Sequence, residues 1–344
     1  MITVGLLLGL ALGAVALAAP RFGLVSLWWK FRANRERTRS EDALKHILAW
    51  QHRSKLASLE SLAGALRLSA PATLRLATRM EQSGWVRSKS EGIALTRSGE
   101  QRALQVVRAH RLWERHLSDD ANMPMARLHQ AAENAEHTLT RDEVERLDAH
   151  LGHPQHDPHG DPIPGADGRL ASIDAVSLTE WPVGKPALIA HIEDEPDPVF
   201  QQVLAAGLRP AQVIQVLETG PERLVVSVEG SECRIDPAVA ANVQVSVASD
   251  ADLPPPDAVR LSNLPQGACG EVVELGPACV GFSRRRLLDL GLTPGARVEV
   301  ALETAFGDPR AFRIRGTTVA LRGQQAEQIW VRPLAEPSAT EVGS

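Results

Sequence analysis

Cysteine is scarce: three residues in 344, Cys233, Cys269 and Cys279, with no CxxC pair among them. They are too few and too widely spaced for a disulfide framework or a zinc ribbon, so a reducing compartment is the natural setting. The chain also lacks an HExxH helix, a nucleophile elbow and a phosphate-binding glycine loop, and no residue is assigned a catalytic role. Residues 1–29 lack the basic n-region of a signal peptide, although Ala16-Leu17-Ala18 fits a cleavage site. What they have is an apolar run, ITVGLLLGLALGAVALAAP and RFGLVSLWW, broken only by Arg21 and long enough to span a bilayer. The basic segment KFRANRERTR follows, which predicts a single-pass anchor in the cell (inner) membrane with the domains on the cytoplasmic side.

Net charge is uneven. Residues 1–105 total +9 and the rest −14, within an overall −5. A basic first part points to a polyanionic partner for that part alone. Within it, EDALKHILAWQ, SLESLAGALRL and APATLRLATRMEQSG read as three amphipathic helices, the second capped by Ser58. WVRSKSEGIALT then reads as strand, turn, strand. That order describes a winged helix-turn-helix and double-stranded DNA as partner. The third helix would lie in the major groove, with Ser69, Pro71, Thr73 and Arg75 toward base edges and Arg87 and Lys89 of the wing against phosphate.

Helical pattern resumes from RSGEQRALQVVRAHRLWERHL to TRDEVERLDAHL. Inside it, HQAAENAEH spaces His129, Glu133, Glu136 and His137 at i, i+4, i+7 and i+8, one face of a helix. Such a face is either ordinary solvated charge or a site for a borderline cation such as Mn²⁺, Fe²⁺ or Zn²⁺. His110 and Glu114 stand at i, i+4 on the preceding helix, where His129 could close a set across the interface. The stretch LGHPQHDPHGDPIPGADG is dense in Pro, Gly and His and reads as a semi-rigid linker, whose prolines argue against a preformed metal site at His153, His156 and His159.

Beyond residue 170 short β-like runs take over and repeat. GLRPAQVIQV at 207–216 and GLTPGARVEV at 291–300 match at an offset of 84, implying two small β-barrels.

RAHRLWERHL, LHQAAENAEH, DEVERLDAHL and HGDPIPG, following SAPATLRLATRMEQSGWV, resemble the diphtheria-toxin-repressor family of metal-dependent transcription regulators over residues 40–165. The resemblance implies a homodimer on an inverted-repeat operator, with Mn²⁺ or Fe²⁺ as cofactor. It implies a primary metal site at Asp42, Glu133, Glu136 and His137 and a second at His110, Glu114 and His129. Asp42 and Glu133 replace the Met and Cys of iron-type members and favour Mn²⁺, while Lys45 departs from the carboxylate common in manganese-type members. GFSRRRLLDLGLTPGARVEV and AFGDPRAFRIRGTTVALRGQQAEQIWV look like a FeoA domain, a small SH3-like module associated with ferrous-iron uptake. The first copy is a divergent relative.

The expected fold class is therefore multidomain α+β. Residues 1–29 form a transmembrane helix, 30–39 a basic juxtamembrane segment, 40–105 the winged helix and 106–152 the metal-binding and dimerisation helices. A linker covers 153–171, the barrels 172–248 and 257–333, and a disordered tail 334–344. The function expected is a membrane-anchored, metal-dependent repressor of metal-uptake genes. The alternative is a membrane-bound accessory of iron or manganese transport, acting through transporter contacts of its FeoA-like domains.

Overall fold

The computed structural model describes residues 24–334, apart from 122, 173, 229, 251, 278, 280 and 304–306. Its contacts divide the chain into two units, Met1–Val107 and Arg108–Ser344.

The first unit opens with helix α1 (Leu24–His52). This helix starts well before the Glu41 that hydropathy indicates, because FRANRERTRS carries no Pro or Gly to stop it. Arg32–Glu36 at 3.5 Å and Arg37–Glu41 at 3.9 Å add i, i+4 pairs along the same stretch. The expected membrane segment and the expected tail fall largely outside the described residues. Among the described residues no helix is long and apolar enough to cross a membrane.

α1 buries Ala43, Leu44, Ile47 and Leu48, a helical stripe, with Leu62 of α2 (Leu59–Ala65) and Leu76 and Met80 of α3 (Ala70–Gln82) in the same unit's core. The Ser58 hydroxyl accepts from Ser61 N at 3.0 Å and caps α2. Strands β1 (Val86–Lys89) and β2 (Gly92–Leu95) pair antiparallel, Val86 opposite Leu95, and Ala57 bridges to Ile93. Helix, helix, helix and a two-stranded wing are the elements of a winged helix-turn-helix. Helix α4 (Arg97–Asp119) follows and enters the second unit.

There α5 (Leu128–Ala135) and α6 (Arg141–Leu151) complete the helical layer, with α4, α6 and the linker burying Ala109, Leu112, Val144, Leu151 and Ile163. Thr140 and Glu143 form a reciprocal capping box at the start of α6, and Gly152 ends it in the left-handed conformation.

The remainder is a structural duplication. The first copy orders its strands β3-β8-β4-β5-β6-β7 and the second β9-β14-β10-β11-β12-β13, both wholly antiparallel. Strands β3 (Val176–Ser177), β4 (Pro186–Ile192), β5 (Val213–Thr219), β6 (Leu224–Val228), β7 (Ser231–Ile235) and β8 (Val243–Val247) make the first sheet. Strands β9 (Val259–Arg260), β10 (Cys269–Leu275), β11 (Arg297–Glu303), β12 (Arg310–Ile314), β13 (Thr317–Leu321) and β14 (Ile329–Leu334) make the second. Each copy carries one helix after its long strand, α7 (Asp197–Ala205) and, beyond the short α8 (Pro237–Ala240), α9 (Gly281–Asp289). The short α10 (Gly323–Ala326) matches α8. Even the bulges correspond: β4 shifts register between Ile189 and His191, β10 between Val272 and Glu274. Each sheet closes over its own apolar core, around Ile189, Phe200 and Val216 in the first and Val272, Val300 and Phe312 in the second.

Candidate metal centre

His110 and Glu114 project from successive turns of α4, His110 Nε2 lying 3.2 Å from Glu114 Oε1. His129, one residue into α5, brings its Nδ1 to 3.8 Å from the same oxygen and sets its ring 5.0 Å from that of His110, edge-on. The second set foreseen in the sequence is thus assembled within one unit. Two further residues join it. Asp194, just beyond β4, accepts from His129 Nδ1 at 2.9 Å, and His159 Nε2 lies 3.7 Å from Glu114 Oε1. Glu114, His159 and Asp194 form a second group of converging ligand atoms that shares Glu114 with the first.

His159 corrects the linker reading. Residues 157–160 are buried, and the expectation that the prolines would prevent a preformed site does not hold at His159. Gly160 lies at φ +95° so close to the first barrel that a Cβ would stand 2.0 Å from Ala190 O, and His159 O accepts from Ile192 N at 2.9 Å. Asp157 Oδ1 accepts from the backbone N of both His159 and Asp161 at 2.9 Å, closing the turn. Arg111 donates to Pro162 O at 2.6 Å and to Asp161 at 2.9 Å, pinning the segment to α4. Prolines here rigidify a packed turn. No local pattern marks Asp194, and both His159 and Asp194 are placed by contacts between the helical layer and a barrel.

Fit to a cation rests on buried polar atoms. Glu114 Oε1 and both ring nitrogens of His159 are buried with no hydrogen bond of good geometry among the described residues, His110 Nε2 standing 3.2 Å from that oxygen. Buried polar atoms of this kind are rare and call for a partner. Three imidazoles and two carboxylates, those of His110, His129, His159, Glu114 and Asp194, suit Mn²⁺, Fe²⁺ or Zn²⁺. Electrostatics are consistent: burial works against ionised Asp194, but the hydrogen bond and charge of His129, with His159 and His110, hold its carboxyl well below the usual range. His129 is pushed up to about 10, chiefly by hydrogen bonds to Asp194 and Glu133. Burial raises Glu114, yet contact with His110 and the charges of His110 and His159 leave it lowered.

Of the other residues foreseen as ligands, Glu136 and His137 bring their ligand atoms together, and Glu133 stands beside His129. α5 ends at Ala135, so His137 lies in the following turn and not on the helix face with His129. Glu136 is buried and uses both oxygens: Oε2 accepts from His110 Nδ1, and Oε1 lies 3.3 Å from His137 Nε2. The bond to His110 Nδ1 leaves Nε2 for the cluster, as a carboxylate behind a metal-bound imidazole does. Glu133 is exposed, 3.4 Å from His129. Asp42 lies in the first unit, half-buried on α1.

Of the residues foreseen at DNA, Ser69, Pro71 and Arg75 are exposed at the start of α3, and Arg87 and Lys89 are exposed on β1. Thr73 is not. It is 1% exposed, its hydroxyl bonded to Ser69 O at 3.1 Å, because its position falls on the apolar face with Leu76 and Met80. Thr73 therefore holds the helix start and cannot read a base.

Residues 96–165 match the iron dependent repressor metal binding and dimerisation domain, and residues 176–247 and 259–333 match the FeoA domain. An iron-dependent repressor of Mycobacterium leprae (strain TN) is 31% identical over 186 residues, covering 50% of this chain and 80% of the relative. A diphtheria toxin repressor of Corynebacterium glutamicum is 30% identical over 200 residues, covering 54% of this chain and 85% of its own. Among solved structures, a manganese-dependent transcriptional repressor in complex with manganese superposes with a TM-score of 0.55 at 29% identity, over 60% of this chain and 99% of that one. These relatives are regulators and not enzymes. The chain belongs to the diphtheria-toxin-repressor family of metal-dependent transcriptional repressors, extended by a duplicated FeoA domain.

Proposed function

We propose that the chain is a Mn²⁺- or Fe²⁺-activated, DNA-binding repressor of metal-uptake genes that acts as a homodimer on an inverted-repeat operator. The observation that carries it is the convergence of buried ligand atoms of Glu114 and His159 with those of His110, His129 and Asp194, in a family of metal-dependent repressors. His110, Glu114, His129, His159 and Asp194 hold one cation. Asp42, Glu133, Glu136 and His137 hold the other, an assignment that rests on the family positions. When bound, the cation supplies positive charge and fixed geometry among carboxylates and imidazoles, not a reaction. Glu136 links the two sets through His110 and His137. Asp42 belongs to the unit that carries α3, and cation binding shifts the dimer toward its DNA-binding state. DNA affinity follows the population of that state.

Hard oxygen ligands at Asp42 and Glu133 favour Mn²⁺ over a softer preference. Ser69, Pro71 and Arg75 face base edges and Arg87 and Lys89 face phosphate. The apolar run of residues 1–29 and its basic flank support anchoring in the inner membrane, with the domains in the cytoplasm. The two FeoA domains favour a second reading, a membrane-bound accessory of iron or manganese transport. A gel shift of the full chain on its own promoter region, with and without Mn²⁺ or Fe²⁺, separates the two: a metal-dependent shift is expected, and no shift under either condition favours the accessory.

A further inference from the structure

A cavity of about 170 Å³ lies where the last turns of α4, the 209–212 loop of the first barrel and two loops of the second barrel meet. None of the metal-cluster residues lines it. Three guanidinium groups do: Arg115, Arg209 and Arg260. The Arg115 charge is taken by Asp119, Nε to Oδ2 at 2.8 Å. Arg260 lies flat over Trp330, 3.7 Å from its ring, and donates to Glu327 O at 2.8 Å. The hydrogen bonds of Arg209 go to backbone, its Nη1 donating to Leu204 O at 3.2 Å and Leu208 O at 2.7 Å, and the opposing charge that reaches it is that of Glu327 in the same wall. This half-buried cation, whose charge Glu327 offsets in part, stands beside Gln328 Oε1, a buried acceptor with no donor among the described residues. Such groups are expected to find partners.

The duplication shows where this wall departs from its twin. Arg209-Pro210-Ala211-Gln212 corresponds, at the offset of 84, to Thr293-Pro294-Gly295-Ala296. Gly295 sits at φ +81°, and Ala211 keeps the same left-handed turn at φ +65°, where a side chain is disfavoured. Gln212 latches that turn, its Oε1 accepting from Arg209 N at 2.7 Å. The first copy's loop thus carries a guanidinium and a glutamine latch at the positions where the second has Thr293 and Ala296.

We propose that this cavity is a binding site for a small hydroxy- or amino-carboxylate, with Arg209 and Arg260 taking the carboxylate and Gln328 accepting from the hydroxyl or amine. A planar guanidinium matches a carboxylate through parallel N–H donors. The volume lies below the roughly 300–1,000 Å³ of drug-sized pockets, which limits the ligand to a small metabolite.

The test is calorimetry of the metal-free full chain with L-malate, L-glutamate and inorganic phosphate as probes. Saturable binding of malate or glutamate with Kd at or below about 1 mM is expected. Arg209→Gln should weaken it about tenfold or more, and Gln328→Leu should weaken it severalfold, carrying the test if Arg209→Gln fails to fold. Mn²⁺ titration of the same variants should be unchanged, so a failure of the metal reading is seen separately. Absence of malate and glutamate binding up to about 10 mM, binding of phosphate alone, or undiminished binding in the folded variants would overturn the proposal.

Discussion

Asp194 and His129 show how one ion pair sets the terms on which a cation enters. In the metal-free chain Asp194 and Glu133 keep His129 protonated, with its value pushed up to about 10. The folded value is raised, so the stabilisation from this pair is fully present below about pH 6.5 and is lost as pH rises through about 10. A metal takes the neutral imidazole, so binding must expel that proton, and affinity at this site should climb with pH up to about 10. Calorimetry in two buffers of different ionisation enthalpy should report about one proton released at pH 7.5; no release would contradict the ion-pair account. Asp194→Asn should weaken the His110–Glu114–His129 site by roughly 10–100-fold, as loss of an orienting or ligating carboxylate does. A Mn²⁺ titration with Asp194→Asn indistinguishable from the unaltered chain would remove Asp194 from the site.

At the scale of elements, the recognition helix and the linker make separate predictions. Arg75→Ala should cost about 1–3 kcal/mol at the cognate operator and little on random duplex. Arg87→Ala should weaken all duplexes alike and lower the salt slope by about one. Thr73→Val should leave base preference unaltered, because Thr73 is buried; a changed preference in competition binding would return it to the DNA face. Gly160→Ala places a methyl group on Ala190 O at a left-handed φ, so it should lower thermal stability and displace His159. Weakened Mn²⁺ binding should accompany the lowered melting temperature, and an unchanged pair of readings would mean that the linker does not position the site. Much of this was legible beforehand. The i, i+4 spacing of His110 and Glu114, the alternation around Ser90-Glu91-Gly92 and the 84-residue repeat are local signals, and local periodicity reports local structure. His159 was visible in the His-rich stretch and set aside for its prolines, and Asp194 was not legible, since what gathers both is packing between elements far apart in sequence. Thr73 was misread because position along a helix was weighed and its face was not.

At the scale of the whole molecule, the chain joins a winged helix, a helical metal-binding layer and two copies of one β module with the same strand order. The matches to the curated relatives cover about half of its length, and each of the two barrels has its own core. Duplication keeps the fold while releasing one copy to change, which is visible where Arg209 stands opposite Thr293 in the repeat. The central claim is that cation binding controls DNA binding. The measurement that tests it most directly is the affinity of the full chain for its own promoter region against random duplex, at fixed salt, with Mn²⁺ or Fe²⁺ added or chelated. The account predicts a specific complex on an inverted repeat that forms with metal, is lost on chelation, and is lost in Glu114→Ala and His137→Ala even with metal present. Equal binding with and without metal, and no preference for any sequence over random duplex, would contradict it.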